Sequence, residues 1–186
     1  MKIIFIRHGK TVGNCEKRYI GKTDEPLSPE GIKELSEKNY PEAEIVITSG
    51  MKRCIETAKL IYPMQKHIVI NCLQECDFGD FEGKNYKELS DNPDYISWVE
   101  SGGILPFPNG ESPADFKKRC IAAFDEAVRK YKDKGSISFV VHGGTIMAVL
   151  EKYALPKKNY FDYGVSNGGG YITEFDGKII RITEKI

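Results

Sequence analysis

A chain of 186 residues has the usual size of one folded domain, and at this length about 70% of the unfolded surface can be buried without a disulfide or metal staple. Its composition, 40% hydrophobic and 29% charged, excludes a disordered, collagen-like or coiled-coil chain. Lys and Arg number 27 against 27 Asp and Glu, so bulk charge gives no grip on nucleic acid or an anionic membrane, although a local basic pocket stays open.

The first apolar run, Ile3–Ile6, reads as a buried central strand ending at Arg7-His8-Gly9. It is shorter than the ~7–15 apolar residues of a secretory signal, and no segment approaches the ~20 that cross a bilayer. Ser28-Pro29-Glu30 opens a helix, with Ser as its cap, and Pro41 lies beyond its end. Ile45-Val46-Ile47, within Glu44–Thr48, predicts a second buried strand. Ser49 then caps a helix over about Lys52–Tyr62, closed by Pro63. His67–Leu73 is rich in β-branched residues and predicts a third strand.

Residues 76–111 hold most of the Gly and Pro punctuation and read as an excursion over one end of the sheet. Short helices are expected around Lys87 and over Tyr95–Val99. A long helix follows over about Pro113–Lys132, where Phe116, Cys120, Ala123, Phe124, Ala127 and Tyr131 make one apolar face. Ile137–Val141 predicts a fourth strand ending at His142-Gly143-Gly144, and Thr145–Tyr153 a helix. Tyr171–Phe175 and Lys178–Thr183 flank Asp176-Gly177, a hairpin signal.

Strands alternating with helices imply one α/β domain over residues 1–186: three layers, α/β/α, with a mostly parallel central sheet and a C-terminal antiparallel hairpin. Ligands of such sheets bind beyond the carboxyl ends of the strands. His8 and His142 both fall there, each followed by glycine. With Arg7, and with Arg53 at the start of the helix after the second strand, they would form a small cationic pocket suited to a phosphoryl group. The third histidine, His67, reads as structural. The five cysteines, Cys15, Cys54, Cys72, Cys76 and Cys120, show no ligand or pairing pattern and read as reduced thiols of a cytoplasmic protein. No phosphate-binding loop, dinucleotide fingerprint, zinc motif or nucleophilic serine elbow occurs. The chemical stock is histidine, arginine and carboxylate.

Five blocks in order carry a resemblance: Arg7-His8-Gly9-Lys10-Thr11 with Asn14; Pro26-Leu27-Ser28-Pro29-Glu30-Gly31; Ser49-Gly50-Met51-Lys52-Arg53-Cys54-Ile55-Glu56-Thr57-Ala58; Glu75-Cys76-Asp77-Phe78-Gly79-Asp80-Phe81-Glu82-Gly83; and Val141-His142-Gly143-Gly144. Together they resemble the histidine phosphatase superfamily, the phosphoglycerate mutase-like proteins, over residues 3 to about 150. The resemblance implies a phosphoglycerate mutase-like fold and a small-molecule phosphomonoester substrate, with no metal or cofactor. It makes His8 a nucleophile that is transiently phosphorylated, and Arg7, Arg53 and His142 the holders of the phosphoryl oxygens. Asn14 and the Gly143 N–H would add contacts. Glu75 matches the position of the general acid, with Glu82 a competitor in the same segment. Two positions depart from the pattern. Lys10 replaces the usual Glu or Gln and adds a positive charge at the pocket mouth; Val141 replaces Ser or Thr.

Three activities fit the resemblance: a phosphomonoester phosphatase, a phosphoglycerate or other sugar-phosphate mutase, and a phosphate-binding domain without catalysis. The presence of every reactive group disfavours the last. The short stretch between Glu75 and His142 leaves little room for the extended segment of the mutases, which favours the phosphatase. Among phosphatases, the likeness is greatest to the α-ribazole phosphatases of cobalamin biosynthesis, with broad-specificity sugar and metabolite phosphatases as the alternative. Tyr19–Leu27, Phe78–Gly83 and Pro108-Asn109-Gly110-Glu111-Ser112 carry that likeness. Tyr86, Tyr95, Trp98 and Phe107 would either stack on an aromatic base or form a small local core. Oligomeric state is not legible in the sequence.

Overall fold

The unbroken apolar run of Ile3, Ile4, Phe5 and Ile6 has no polar face to turn toward water, so this strand lies at the centre of the sheet with helices on both sides. In the computed structural model, which describes all 186 residues, it becomes β1 (Lys2–Arg7). Ile3 and Phe5 pack with Phe124, Ala127, Ile146 and Val149. Ile4 and Ile6 pack on the opposite face with Ala43, Ala58 and Tyr62. The three layers follow from that alternation.

The other strands are β2 (Ile45–Thr48), β3 (His67–Val69), β4 (Ser136–Val141), β5 (Ala154–Leu155), β6 (Gly170–Phe175) and β7 (Ile180–Lys185), in the spatial order β3-β2-β4-β1-β6-β7-β5. Strands β1 to β4 run parallel; β6 is antiparallel to β1 and to β7. The helices are α1 (Val12–Cys15), α2 (Pro29–Ser36), α3 (Lys52–Ile61), α4 (Pro93–Glu100), α5 (Pro113–Lys130) and α6 (Gly143–Tyr153). Helices α5 and α6 supply the first face and α3 the second.

Several boundaries differ from expectation for local reasons. The third strand stops at Val69, because residues Asn71–Leu73 coil into a 3-10 turn that carries Leu73 into the core. Ser49 does not cap α3. Met51 takes the cap position without a side-chain bond, and the Lys52 N–H donates instead to Asp24 Oδ1 at 2.7 Å. Ser28 and Ser112 do cap, accepting from Gly31 and Asp115 N–H groups at 3.0 Å. Asp176 Oδ1 accepts from both Lys178 and Ile179, so the hairpin turn is longer than Asp-Gly and β7 begins at Ile180. No helix forms around Lys87, where Asn85 Oδ1 accepts from Lys87 and Glu88 to make a turn. Helix α1 and the two-residue β5 had no sequence signal.

The excursion 76–111 carries its own small core. Phe81, Leu89 and Phe107 are buried against Tyr95 and Trp98 and rest on Phe116, Cys120 and Ala148 of α5 and α6. The rings meet edge-on, as Phe81 and Tyr95 do at 5.4 Å and 83°. Of the two uses open to these aromatics, Tyr95, Trp98 and Phe107 take the local core, while Tyr86 is half exposed.

Candidate active site

Strands β1 and β4 are parallel neighbours with Arg7 opposite Val141, so the residue after each, His8 and His142, emerges at the same sheet edge. The two rings lie 5.1 Å apart, centroid to centroid, at 64°. Both are buried. His8 Nδ1 is 2.7 Å from the Gly9 carbonyl. A carbonyl only accepts, so Nδ1 carries the proton and Nε2 of the neutral ring holds a free lone pair. Burial, then the charges of Arg53 and Arg7, push the His8 pKa well below 6.5. Burial and Arg53, followed by His8 and Arg7, do the same to His142. Its Nε2 is hydrogen-bonded to Ser49 Oγ at 2.8 Å; Ser49 lies two residues before the Met51 cap position of α3, and its Oγ also accepts from the Met51 N–H at 3.4 Å.

Arg53 has no exposed surface, an expensive place for a cation unless every donor is answered. Its Nη1 donates to the Thr23 carbonyl and its Nη2 to the Gly21 carbonyl, both at 2.7 Å. Arg7 Nη1 donates to the Val165 carbonyl at 2.8 Å. In both arginines the Nε–H is buried and has no partner. Burial lowers the Arg7 pKa, Glu75 partly restores it, and Arg53 lowers it again, so these charges feel one another across a small space. A methyl group on Gly143 would sit 3.5 Å from Arg7 Nε. Two unanswered cationic donors beside a proton-free imidazole nitrogen make a site for an anion that offers several oxygens.

The first turn of α6 contributes Gly143, whose N–H has no intrahelical acceptor, and Gly144, whose N–H donates to Glu75 Oε2 at 3.1 Å. Asn14 Oδ1 accepts from the Thr11 N–H at 3.2 Å and from Asn167 Nδ2 at 3.1 Å, which leaves the Asn14 Nδ2 donor without a protein acceptor. Asn167 Nδ2 also donates to the His8 carbonyl at 3.1 Å. Thr57 Oγ1 accepts from the Gly9 N–H at 2.9 Å and donates to the Arg53 carbonyl at 2.6 Å. Asn167 was not singled out from sequence, and Thr57, although part of one of the five blocks, was given no role. Asn167 sits in a Ser-Asn-Gly-Gly-Gly run that reads as loop; for Thr57, one turn after Arg53, the family block was the available signal.

The two candidate carboxylates separate. Glu75 Oε1 accepts from the Cys76 N–H at 3.0 Å while Oε2 faces α6. Glu75 also lines a cleft of about 500 Å³ together with Asn71, Gln74 and two ion pairs, Lys22–Asp77 at 3.3 Å and Arg119–Glu111 at 2.7 Å. Glu82 lies elsewhere, its oxygens taken by Gly21, Lys22 and Thr23. Lys10 does not offer the extra free charge expected at the pocket mouth. Its Nζ lies 2.6 Å from both Glu30 and Glu34 of α2, and these bonds raise its pKa. His67 Nε2 bonds the Tyr62 carbonyl at 3.0 Å, away from this cluster. No group of three or more His, Cys, Asp or Glu side chains is placed to hold a metal ion. No helix is long and apolar enough to cross a membrane.

The model of the histidine phosphatase superfamily, branch 1, matches residues 3–185. The chain belongs to this superfamily. Similar proteins include the uncharacterized phosphatase PhoE of Bacillus subtilis, 29% identical over 80% of this chain and 75% of its own. A 2,3-bisphosphoglycerate-dependent phosphoglycerate mutase 2 of Gloeobacter violaceus is 31% identical over 80% and 73%. The α-ribazole phosphatase of Shigella flexneri shares the fold with a TM-score of 0.84 at 24% identity, covering 98% of this chain and 94% of that one. A phosphoglycerate mutase of Thermus thermophilus aligns at a TM-score of 0.78 and 26% identity, covering 100% and 98%. The superfamily and its phosphatase members make the protein a phosphatase, with the phosphoglycerate mutase-like α/β fold expected from sequence.

Proposed function

We propose that the protein hydrolyses small phosphomonoesters without a metal, through a phosphohistidine at His8. The observation that carries this reading is the pair of unpartnered Nε donors of Arg7 and Arg53 beside the free Nε2 of a neutral His8. The ester phosphoryl group would be held by Arg7, Arg53, His142, the Asn14 amide and the Gly143 N–H. His8 Nε2 attacks phosphorus, forming a P–N bond as the P–O bond to the alcohol breaks. Glu75 gives the departing alkoxide a proton. The Glu75 carboxylate then takes a proton from water as that water attacks phosphorus. The P–N bond breaks, His8 is restored and inorganic phosphate leaves. The arginines act by offsetting charge that grows on the phosphoryl oxygens.

Glu75 lines the polar cleft, so the leaving alcohol is assigned there. Apart from Glu75 the cleft's ions are paired, and its free carboxamides, Asn71 and Gln74, suit hydroxyl groups. A ribosyl phosphate fits that chemistry. With the Asn109 and Glu111 block, it supports α-ribazole 5′-phosphate as the substrate and a place in cobalamin biosynthesis. Five unpaired thiols are in keeping with a cytoplasmic location.

Quenching with labelled substrate tests the intermediate: label stable to base and lost in acid is expected, and a fully active His8→Ala enzyme overturns it. Incubation with 3-phosphoglycerate and its bisphosphate separates mutase from phosphatase. A kcat/KM for α-ribazole 5′-phosphate no higher than for common sugar phosphates removes the narrower reading alone.

A further inference from the structure

Glu82 touches none of the five groups that would hold phosphate, yet it organises the segment that holds one of them. Its Oε1 accepts from the Lys22 N–H at 2.7 Å and the Gly21 N–H at 3.0 Å, and its Oε2 accepts from Thr23 Oγ1 at 2.9 Å. The Gly21 and Thr23 carbonyls are the acceptors that pin the two terminal nitrogens of Arg53. The approach is close: a Cβ on Gly21 would lie 1.8 Å from the Cys76 carbonyl oxygen. The same segment is tied to α3 twice more, by Asp24 to the Lys52 N–H and by Glu56 to the Leu27 N–H at 2.8 Å. Those straps set the segment against α3. The Glu82 carboxylate sets it against residues 75–83, the stretch that begins with Glu75. The neighbouring Lys22–Asp77 pair runs the same way, but Lys22 is 77% exposed, so that pair adds little.

We propose that Glu82 is a positioning residue that clasps Gly21–Thr23 to the segment bearing Glu75. It thereby holds the Arg53 fork by its terminal nitrogens, leaves Nε turned to the phosphoryl group, and fixes the clamp in register with the acid. The assignment rests on the hydrolase reading above. It separates the two carboxylates by job: Glu75 moves a proton, and Glu82 holds backbone.

A double-mutant cycle tests this, with p-nitrophenyl phosphate as substrate and orthovanadate as inhibitor. Glu82→Ala is expected to lower kcat/KM by about 30-fold, chiefly by raising KM, and to weaken orthovanadate by a similar factor. Glu82→Gln keeps an acceptor oxygen and is expected to recover most of the loss. In an Arg53→Lys background, where the fork is gone, Glu82→Ala is expected to cost less than about threefold. Equal losses in both backgrounds, or unchanged kinetics in Glu82→Ala, overturn the proposal. If Glu82→Ala does not fold, Glu82→Asp, whose carboxylate is one methylene short of the Gly21–Thr23 donors, carries the same cycle. If the unmutated protein fails to turn over p-nitrophenyl phosphate, the hydrolase reading falls. Binding of inorganic phosphate to the four cycle members, read by calorimetry, then decides the clasp by the same additivity criterion.

Discussion

The ring of His142 stands 5.1 Å from that of His8, and both are kept uncharged by burial and by the same buried guanidinium, Arg53. Protonation of His8 would remove the Nε2 lone pair, so the lowered pKa keeps the nucleophile available into mildly acidic solution. The acid limb of the pH–rate profile due to His8 therefore lies below pH 6.5. Arg53→Met removes one of the causes, the His8 pKa rises, and that limb moves to higher pH. Profiles of both proteins from about pH 4.5 to 8 check this, the substrate's own titration being common to the two. A limb that does not move contradicts the coupling.

Stability carries the same signature. The unfolded imidazoles titrate near 6.5, whereas the folded ones resist protonation, so the unfolded state binds more protons below that pH. The contribution is complete above pH 6.5 and is lost as pH falls below it, with a slope of at most about 1.4 kcal/mol per pH unit for each ring. Thermal melts between about pH 7.5 and 5.5 are expected to show a shallower fall in His142→Asn than in the unmutated protein.

Ser49→Ala leaves His142 Nε2 with only the Cys54 thiol, 3.4 Å away, as a neighbour. A buried ring nitrogen without its hydroxyl partner costs roughly 1–3 kcal/mol. The expected outcome is a melting point lower by roughly 3–10 °C and a kcat/KM reduced about tenfold, measured by calorimetry and steady-state kinetics.

Thr57→Val keeps the shape but removes the acceptor for the Gly9 N–H and the donor to the Arg53 carbonyl. Thr57→Ser keeps both bonds and loses only a methyl group. The valine enzyme is expected to lose roughly 1–3 kcal/mol of stability and more activity than the serine enzyme. The reverse order in denaturant unfolding would show that Thr57 acts by packing alone.

Gly144→Ala places a methyl carbon 2.3 Å from Glu75 Oε1 and 2.9 Å from the Phe116 ring. The carboxylate must move. Alkyl phosphates, whose alkoxides need a proton, are expected to lose about tenfold or more in kcat, while p-nitrophenyl phosphate, with its good leaving group, loses far less. Equal losses on the two substrates would argue against Glu75 as the acid.

Much of the fold was legible because its signals are local. Ile3–Ile6 can only be a buried strand, and Ser28-Pro29 and Ser112-Pro113 announce their helices. That His8 and His142 end two strands was readable as well. Their meeting at one edge was expected from the strand-end rule and the family blocks; what no local signal carried is the reason for it, that β1 lies directly beside β4, a pairing across more than a hundred residues. The supporting residues were hidden for the same reason. Ser49 looked like a helix cap until His142 arrived from another strand, and Glu82 looked like an acid until the Gly21–Thr23 segment folded against it. The charge of Lys10 looked free because Glu30 and Glu34 lie twenty residues or more along the chain.

Arg53 has no exposed surface, the Arg7 Nε–H is buried, both basic side chains of the cleft are matched with acids, and the whole molecule carries no net charge. The molecule as a whole therefore gives a phosphate ester no long-range pull; attraction is local and comes from two guanidinium groups whose acceptors are neutral carbonyls. Selection among esters begins only at the threshold, where hydration is shed and the two waiting N–H groups are met.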